Sequence, residues 1–312
     1  IDLFIGFTPY HSLVCKQIIE DAENIVFCLF TKGWPHTTKK YHKIGYFPRN
    51  RLLRTLFYPL SLLVFALYIK LFLRKKIINV YIPHPKSPFT NFVTHIKVNS
   101  INIYEDGIMN YYDVNSSYFK INKYNQKLMN LFKIKYKEYY GHLTGLECLK
   151  INKYYISRPK YAVLTDKAQK IMHLKILDKK NSLVEKRILF LDQKTDTFFL
   201  REIREDKLKE MFSMYSPSEY QYFYKPHHDY NNNNIAINKI PKYLEKKPAE
   251  EVVEILKPEI VISFFSSALI NIKMSNPKIK CYWLAADMVE IFRNKKKTDL
   301  STIFIEANVL KF

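Results

Sequence analysis

The sequence predicts an α/β protein whose sheets are parallel, and two stretches of the chain support this fold class. Asp2–Phe7 forms an apolar run, a helix capped by Ser12 follows, and Asn24–Phe30 forms a second apolar run. This spacing is typical of a parallel β-α-β unit. Ile260–Phe265 is apolar almost throughout, as expected of a strand buried on both faces of a parallel sheet, and a helix from Ala268 follows it directly.

The length of the chain predicts two domains. Its 312 residues exceed the usual size of a single domain. We place the two domains at residues 1–155 and 156–312. Further predicted strands are Ile77–Ile82, Ile101–Tyr104, Arg187–Leu191, Tyr220–Tyr224 and Ile279–Leu284, and further predicted helices are Arg201–Met211 and Ala249–Leu256.

Composition restricts the partners and the compartment. Lys and Arg number 50 against 29 Asp and Glu, which gives a net charge of +21. Such an excess points to a polyanion or an anionic membrane surface as partner. The four cysteines are far apart in the chain and form no C-x-x-C pair, so the sequence supports neither a disulfide framework nor a zinc site. A reducing, cytoplasmic compartment fits this pattern.

The most hydrophobic segment is Leu52–Leu73, and it allows two interpretations. Its uncharged part, Thr55–Ile69, covers only about 22 Å as a helix, whereas a bilayer core is about 30 Å thick. Pro59 lies within it, and arginines and lysines flank both ends. We therefore expect no transmembrane span. The segment is either a helix that lies partly against the protein and partly in an anionic membrane interface, or a buried core helix.

Two familiar phosphate-binding loops are missing from the sequence. No G-x-G-x-x-G follows the first strand, and no Walker loop occurs anywhere. All six glycines lie at or before Gly145, so the second half carries no glycine-rich phosphate loop. Any phosphate in that half must be held by other groups.

Tyr104-Glu105-Asp106-Gly107 places two carboxylates at the end of a predicted strand. Ligands of open α/β sheets bind at this edge, and a carboxylate there is a natural general base. Gly107 permits the positive φ of a sharp turn. The alternative is an acidic turn with no chemical role, because Asp-Gly is a common turn dipeptide.

Two further motifs follow strands in the second half. Lys225-Pro226-His227 comes after Tyr220–Tyr224, and Ser266-Ser267 comes between Ile260–Phe265 and the next helix. Free N–H groups at a helix start, together with two hydroxyls, suit a phosphate. The alternatives are a structural loop histidine and an ordinary serine helix cap.

The three motifs, in this order, are similar to those of the bacterial sialyltransferases of the GT-B type, which have two Rossmann-like domains facing an interdomain cleft. Those enzymes carry an acidic D/E-D/E-G motif, a His-Pro motif and a Ser-Ser/Thr motif. The strong positive charge and the stretch Tyr104-Glu-Asp-Gly-Ile-Met-Asn-Tyr resemble the capsule polysialyltransferases most closely. One departure is His228, which stands where the family has proline.

This resemblance implies an inverting transfer of sialic acid from CMP-sialic acid to a sugar hydroxyl, elongating polysialic acid. Glu105 would be the general base, and Asp106 would orient the turn or, as the alternative, be the base itself. His227 would be the general acid or the cationic partner of the leaving phosphate. Lys225 and Pro226 would lie beside the nucleotide, and Ser266 and Ser267 would hold the phosphate oxygens. The first domain would then be the acceptor side and the second the CMP-sugar side.

The chemistry of the residues agrees with these roles, because a base, an imidazole and phosphate donors are what an inverting transfer needs. No cofactor is expected. No Asp-x-Asp pair occurs, so we expect no metal ion.

A Lys-rich groove would hold the oligosialic or polysialic acceptor. The candidate lysines are Lys120, Lys123, Lys127, Lys133, Lys135 and Lys137. The resemblance implies a cytoplasmic enzyme peripheral to the inner membrane, with capsule assembly proteins as further partners and no nucleic acid.

Two other functions stay open at this stage. One is a sialyltransferase that adds a single residue to lipooligosaccharide. The other is not an enzyme at all but a basic protein that binds nucleic acid or a membrane surface. Lys-rich segments interleaved with aromatic residues occur in single-strand binders, although the sequence contains no recognisable nucleic-acid motif.

Overall fold

A computed structural model gives the architecture of the chain. It describes residues 1–44, 51–73, 76–77, 79–113, 123–175, 184–193, 195, 198, 201–216, 218–227 and 238–312. The chain divides into two compact units, Ile1–Lys175 and the remainder to Phe312. Each unit is an α/β layer structure with its own buried core.

The first unit consists of seven strands and four α-helices within the described residues. Its strands are β1 (Asp2–Gly6), β2 (Val26–Phe30), β3 (Tyr41–Lys43), β4 (Asn79–Ile82), β5 (Ser100–Tyr104), β6 (Ile151–Ile156) and β7 (Ala168–His173). Its helices are α1 (Pro9–Glu20), α2 (Arg51–Tyr68, continued by a π-helical turn at Ile69–Leu73), α3 (Pro88–Val93) and α4 (Lys123–Leu131). A 3-10 helix at Gly107–Tyr111 follows β5.

The sheet of the first unit is parallel, with the strand order β3-β2-β1-β4-β5-β6-β7. Apart from β7, this is the 3-2-1-4-5-6 order of a Rossmann sheet. The strand order reverses between β1 and β4. Loops after these two strands therefore diverge, and a crevice opens at that point on the carboxyl edge.

The second unit contains β8 (Glu185–Leu191), β9 (Gln221–Lys225), β10 (Asn238–Lys239), β11 (Pro258–Ser263), β12 (Lys280–Trp283), β13 (Glu290–Arg293), β14 (Lys296–Asp299) and β15 (Leu310–Lys311). Its helices are α5 (Arg201–Met214), α6 (Lys242–Glu245), α7 (Ala249–Leu256), α8 (Ala268–Ser275) and α9 (Ser301–Ile305). The main sheet is again parallel, in the order β10-β9-β8-β11-β12-β15, and β13 and β14 form a separate antiparallel hairpin. This main sheet repeats the 3-2-1-4-5-6 order, with its reversal between β8 and β11.

The boundary between the units differs from the expected one. The sequence places it after residue 155, but the structure places it after Lys175. The reason is that β6 and β7 pair with β5 and complete the first sheet. Both strands carry polar residues, and β7 is a partly exposed edge strand, so neither shows the apolar pattern by which strands are recognised.

Helix α2 presents one buried and one exposed apolar face. Leu62, Phe65, Ala66, Ile69 and Leu73 are buried. The opposite face exposes Phe57, Leu60, Val64, Leu67 and Leu71, which recur every three or four residues. Pro59 lies inside the helix without ending it. Within the described residues, no helix combines the length and the apolar character that crossing a bilayer requires.

A buried ion pair holds the strand ends of the second unit. The Arg204 guanidinium on α5 lies 2.5 Å from Asp192 Oδ1, just beyond β8, and both side chains are almost fully buried. The Tyr224 hydroxyl of β9 donates to Asp192 Oδ2 at 2.7 Å. The neighbouring Gln193 Oε1 accepts hydrogen bonds from Ser263 and Phe265, which joins β11 to the same network.

Replacing Arg204 with methionine should destabilise the protein strongly. The variant leaves Asp192 buried without its cation, which costs about 3–5 kcal/mol. The free energy of unfolding in urea measures the effect. The matched control is Arg201→Met, because Arg201 forms an exposed pair with Glu205 and such pairs contribute about 0–1 kcal/mol. Equal unfolding midpoints for the two variants would contradict the structural role of the buried pair.

Candidate active site

The acidic motif lies at the carboxyl edge of the first sheet, beside the reversal of strand order. Glu105 and Asp106 follow β5, which pairs with β4. His84 follows β4, and His11 lies in the first turns of α1, which follows β1. The strands are parallel, so their carboxyl ends meet at one edge and bring these side chains together.

Glu105 is a buried carboxylate with three hydrogen-bond donors. Its Oε1 accepts from the Tyr10 hydroxyl at 2.8 Å. Its Oε2 accepts from the Tyr111 hydroxyl at 3.0 Å and from the Ser157 backbone N–H at 2.7 Å. Only 2% of the residue is exposed. These donors come from α1, the 3-10 helix and the end of β6, so one carboxylate joins three elements of the edge.

Burial raises the pKa of Glu105 above its ordinary value, because desolvation disfavours the charged form. The hydrogen bonds from Ser157, Tyr10 and Tyr111 act in the opposite direction and limit the rise. A carboxylate with a raised pKa is a stronger base once it is ionised.

Asp106 stands in a different environment at the start of the turn. Its backbone N–H donates to Asn110 Oδ1 at 2.8 Å, and Gly107 takes a φ of 79°, a conformation that favours glycine. The Asp106 Oδ1 lies 2.5 Å from His11 Nε2, and its Oδ2 lies 3.7 Å from His84 Nε2. About 12% of the side chain is exposed, so this carboxylate reaches the surface of the edge.

The pKa of Asp106 moves in the opposite direction from that of Glu105. Burial acts to raise it, but His11, His84 and Lys86 together outweigh burial and lower the pKa of Asp106. The two adjacent carboxylates are therefore differentiated: Glu105 is the stronger base, and Asp106 stays ionised more readily. Pairs with separated pKa values are typical of acid/base sites.

The second sheet brings the other two motifs to its own carboxyl edge. Lys225 at the end of β9 and Ser263 at the end of β11 are both in register with Leu191 of β8. One strand separates β9 from β11, so these two strand ends lie about 10 Å apart. Ser266 and Ser267 then stand beside the strand reversal, where α8 begins, and both are half-buried. His227 lies two residues past β9 and is also half-buried.

Lys225 and Pro226 are more enclosed than their predicted contact with a nucleotide suggests. The Lys225 Nζ donates to the Glu245 carbonyl at 3.0 Å, which directs it towards α6. Burial lowers the pKa of Lys225 to about 8, against the attraction of Glu250 and Glu245. Pro226 is buried. His228, which departs from the family pattern, lies outside the described residues.

The predicted acceptor lysines do not gather around the acidic motif. Lys120 lies outside the described residues. Lys123 and Lys127 are exposed on α4, and Lys133, Lys135 and Lys137 are exposed in the segment after it. The Lys133 carbonyl accepts from Lys70 Nζ at 3.4 Å, just past α2. Because α2 connects two parallel strands, its end lies towards the amino edge of the sheet, opposite Asp106.

Three further residues contact the acidic motif but have no role in the sequence-based prediction: Tyr10, His11 and His84. Each follows a strand that flanks the reversal of strand order, and strand order is not visible in a single sequence. Among the side chains that the structure describes, no group of three or more His, Cys, Asp or Glu residues is arranged to hold a metal ion.

Solved structures share this fold. The structure of S. aureus MnaA with UDP matches with a TM-score of 0.52 and 11% identity, over 100% of this chain and 83% of that one. The UDP-GlcNAc 2-epimerase from Neisseria meningitidis bound to UDP-GlcNAc matches with a TM-score of 0.50 and 11% identity, over 100% of this chain and 86% of that one. At this identity the likeness concerns the fold alone, and it confirms the predicted GT-B fold with two Rossmann-like units.

The comparison with sequence families identifies the chain more specifically. No curated protein sequence matches it significantly. The model of the alpha-2,8-polysialyltransferase family matches residues 50–285, which include the acidic motif, Lys225-Pro226-His227 and Ser266-Ser267. This range covers most of the chain and confirms the resemblance found in the sequence. The protein is therefore a glycosyltransferase that belongs to the alpha-2,8-polysialyltransferase family.

Proposed function

We propose that the protein elongates polysialic acid by transferring sialic acid from CMP-sialic acid with inversion at the anomeric carbon. The observation that carries the proposal is the pair of differentiated carboxylates at the strand reversal of the first sheet, in a chain of this family. The acceptor is oligosialic or polysialic acid, and the polymer belongs to a capsule.

Glu105 is the proposed general base. The acceptor hydroxyl gives its proton to Glu105 Oε1, and its oxygen forms the new bond to the anomeric carbon. The bond from that carbon to the CMP phosphate breaks, and its electron pair leaves with the phosphate. The raised pKa of Glu105 supports this role. Access requires the Tyr10 hydroxyl, now 2.8 Å from Oε1, to give way to the acceptor.

His227 and the serines are proposed to receive the leaving nucleotide. His227 donates a proton to the departing phosphate or pairs with its charge. Ser266 and Ser267, at the start of α8, offer hydroxyls beside backbone N–H groups. Pro226 and the enclosed Lys225 hold the loop that carries His227. A nucleoside monophosphate donor has a single phosphate, so no step in this scheme calls on a metal ion.

The charge of the protein supports a polyanionic acceptor. Polysialic acid carries one carboxylate per sugar, and a net charge of +21 attracts such a chain over distances set by ionic strength. Lys123 and Lys127 on α4 and Lys133, Lys135 and Lys137 beyond it stay proposed acceptor contacts, for the part of the polymer away from the hydroxyl that reacts. All five are exposed.

The exposed face of α2 is proposed to lie on the cytoplasmic surface of an anionic inner membrane. Phe57, Leu60, Val64, Leu67 and Leu71 form a continuous apolar stripe, which suits a helix in the plane of the interface. The opposite face of α2 is buried against the unit, and the two faces together support a helix that lies partly against the protein and partly in the interface. Exposed Lys70 and Lys76 stand near its end and suit anionic headgroups.

The alternative within the family's chemistry is the addition of a single sialic acid to lipooligosaccharide. The family match favours the polymer, because the family is named for α-2,8-linked polysialic acid. Product length on an oligosialic primer separates the two activities.

Replacing Glu105 with glutamine, or His227 with alanine, should lower the transfer rate about a hundredfold or more, because each removes one partner of a proton transfer. The assay uses CMP-sialic acid and an oligosialic primer and resolves product length. Glu219→Gln and His173→Ala are the matched controls, because both residues are exposed. Wild-type rates in both test variants would refute the site assignment.

On the acid side of its pH profile, kcat/KM should rise with an apparent pKa above 4.5, the ordinary pKa of Glu. The reason is that Glu105 accepts a proton only when ionised, and its pKa is raised. Activity should therefore rise with pH through the raised pKa. Tyr111→Phe removes a hydrogen bond that lowers this pKa, so it should raise the apparent pKa. A lower apparent pKa in this variant would argue against Glu105 as the base.

Replacing Leu60, Val64 and Leu67 with serine should release the protein from vesicles containing phosphatidylglycerol, as measured by co-sedimentation. These side chains are exposed, so circular dichroism should show an unchanged fold. Leu62 and Phe65, by contrast, are buried and would test stability instead. The control replaces exposed Ile255, Met288 and Ile305 with serine. Equal vesicle binding by the two triple variants would exclude α2 as the contact.

A further inference from the structure

Asp106 lies between two imidazole rings that no step of the proposed transfer uses. His11 Nε2 is 2.5 Å from one carboxylate oxygen, and His84 Nε2 is 3.7 Å from the other. His11 lies on α1, which follows β1, and His84 lies in the loop that follows β4. The cluster therefore spans the strand reversal of the first sheet.

Backbone amides fix the tautomer of both rings. The Phe7 N–H donates to His11 Nδ1 at 3.0 Å, and the Lys86 N–H donates to His84 Nδ1 at 3.2 Å. Each Nδ1 is thus an acceptor, so the proton of each neutral ring lies on Nε2, facing Asp106. The two N–H groups face different oxygens of one carboxylate, His11 at hydrogen-bond distance and His84 at 3.7 Å.

Aromatic neighbours hold the rings in place. His84 stacks on Phe7 with ring centroids 5.6 Å apart, and His11 meets Tyr104 edge to face at 5.5 Å. The other group that faces the cluster is Lys86, whose charge also favours an ionised Asp106. Burial lowers the pKa of His84 to about 4, so this ring is neutral at physiological pH. Asp106 is therefore held in one orientation by groups that are themselves fixed.

We propose that His11 and His84 are positioning residues that present the Asp106 carboxylate to the hydroxyls of the acceptor sugar. The inference rests on the proposed function. A carboxylate has about four lone-pair sites; the hydrogen bond with His11 Nε2 occupies one of them and leaves others for ligand hydroxyls. The 12% exposure of the Asp106 side chain gives a sugar access to them. Asp106 then binds the acceptor, while Glu105 takes the proton.

Two variants of His84 test the proposal against a merely structural role. His84→Asn keeps the acceptor for the Lys86 N–H but removes the N–H that faces Asp106, whereas His84→Gln places an amide N–H near the position of Nε2. His84→Asn should raise the KM for the oligosialic primer about fivefold, because it removes the N–H that faces Asp106 Oδ2 at 3.7 Å, a contact longer than a direct hydrogen bond. The kcat and the KM for CMP-sialic acid should stay within about twofold. His84→Gln should recover most of the loss.

A double-mutant cycle with Asp106→Asn tests whether His84 affects the primer KM through the Asp106 carboxylate. Asp106→Asn alone should raise the primer KM by at least as much as His84→Asn, and adding His84→Asn to it should change little, because the two act as one unit. Additive effects, or an unchanged primer KM in a folded His84→Asn protein, would overturn the proposal. A fall in kcat alone would overturn it as well, because His84 would then act in the transition state. Wild-type protein that transfers no sialic acid would instead refute the proposed function.

A second measurement does not depend on activity or on the folding of variants. NMR of the imidazole nitrogens in wild-type protein should show His11 and His84 protonated on Nε2 in their neutral forms. Protonation on Nδ1 in either neutral ring would remove the N–H that faces Asp106 and would overturn the proposal.

Discussion

The carboxyl edge of the first sheet depends on one buried carboxylate. An ion taken out of water is costly unless hydrogen bonds replace its solvation, and Glu105 receives three, from α1, the 3-10 helix and β6. Satisfying this charge requires the three elements to end at the same place. The positions of Asp106, one residue on, and of His11, one residue beyond Tyr10, follow from that arrangement. The residue that these three elements require is thus the same one that we propose as the general base.

Much of the fold could be predicted because apolar runs and strand-helix spacing are local signals. β1, β2, β8 and β11 lie close to their predicted positions, and the acidic, histidine and serine motifs all follow strands. Strands β6 and β7 were missed for the opposite reason, since polar residues interrupt both of them and leave neither an apolar run nor a regular alternation. Because these two strands were missed, the predicted boundary between the units, after residue 155, comes before the observed one, after Lys175. A single sequence shows where strands are, but not which strands pair.

The site shows the same division between local and long-range information. Glu105 and Asp106 were found as a pair, yet the opposite directions of their pKa shifts come from the folded environment: burial raises the pKa of Glu105, and His11, about ninety-five residues away in the chain, lowers that of Asp106. Helix α2 was ambiguous because hydropathy counts apolar residues without assigning them to faces. Only the packing of Leu62 and Phe65 separates the core face from the exposed one.

The completion of the first sheet by β6 and β7 has a consequence for how the protein is made. All seven strands of that sheet precede the boundary after Lys175, so the ribosome synthesises the whole first unit before any strand of the second. Domains generally fold as units during synthesis, the amino-terminal one first. The acidic edge, with its buried Glu105, can therefore assemble while the second unit is still being translated. Neither sheet has to wait for a strand from the other.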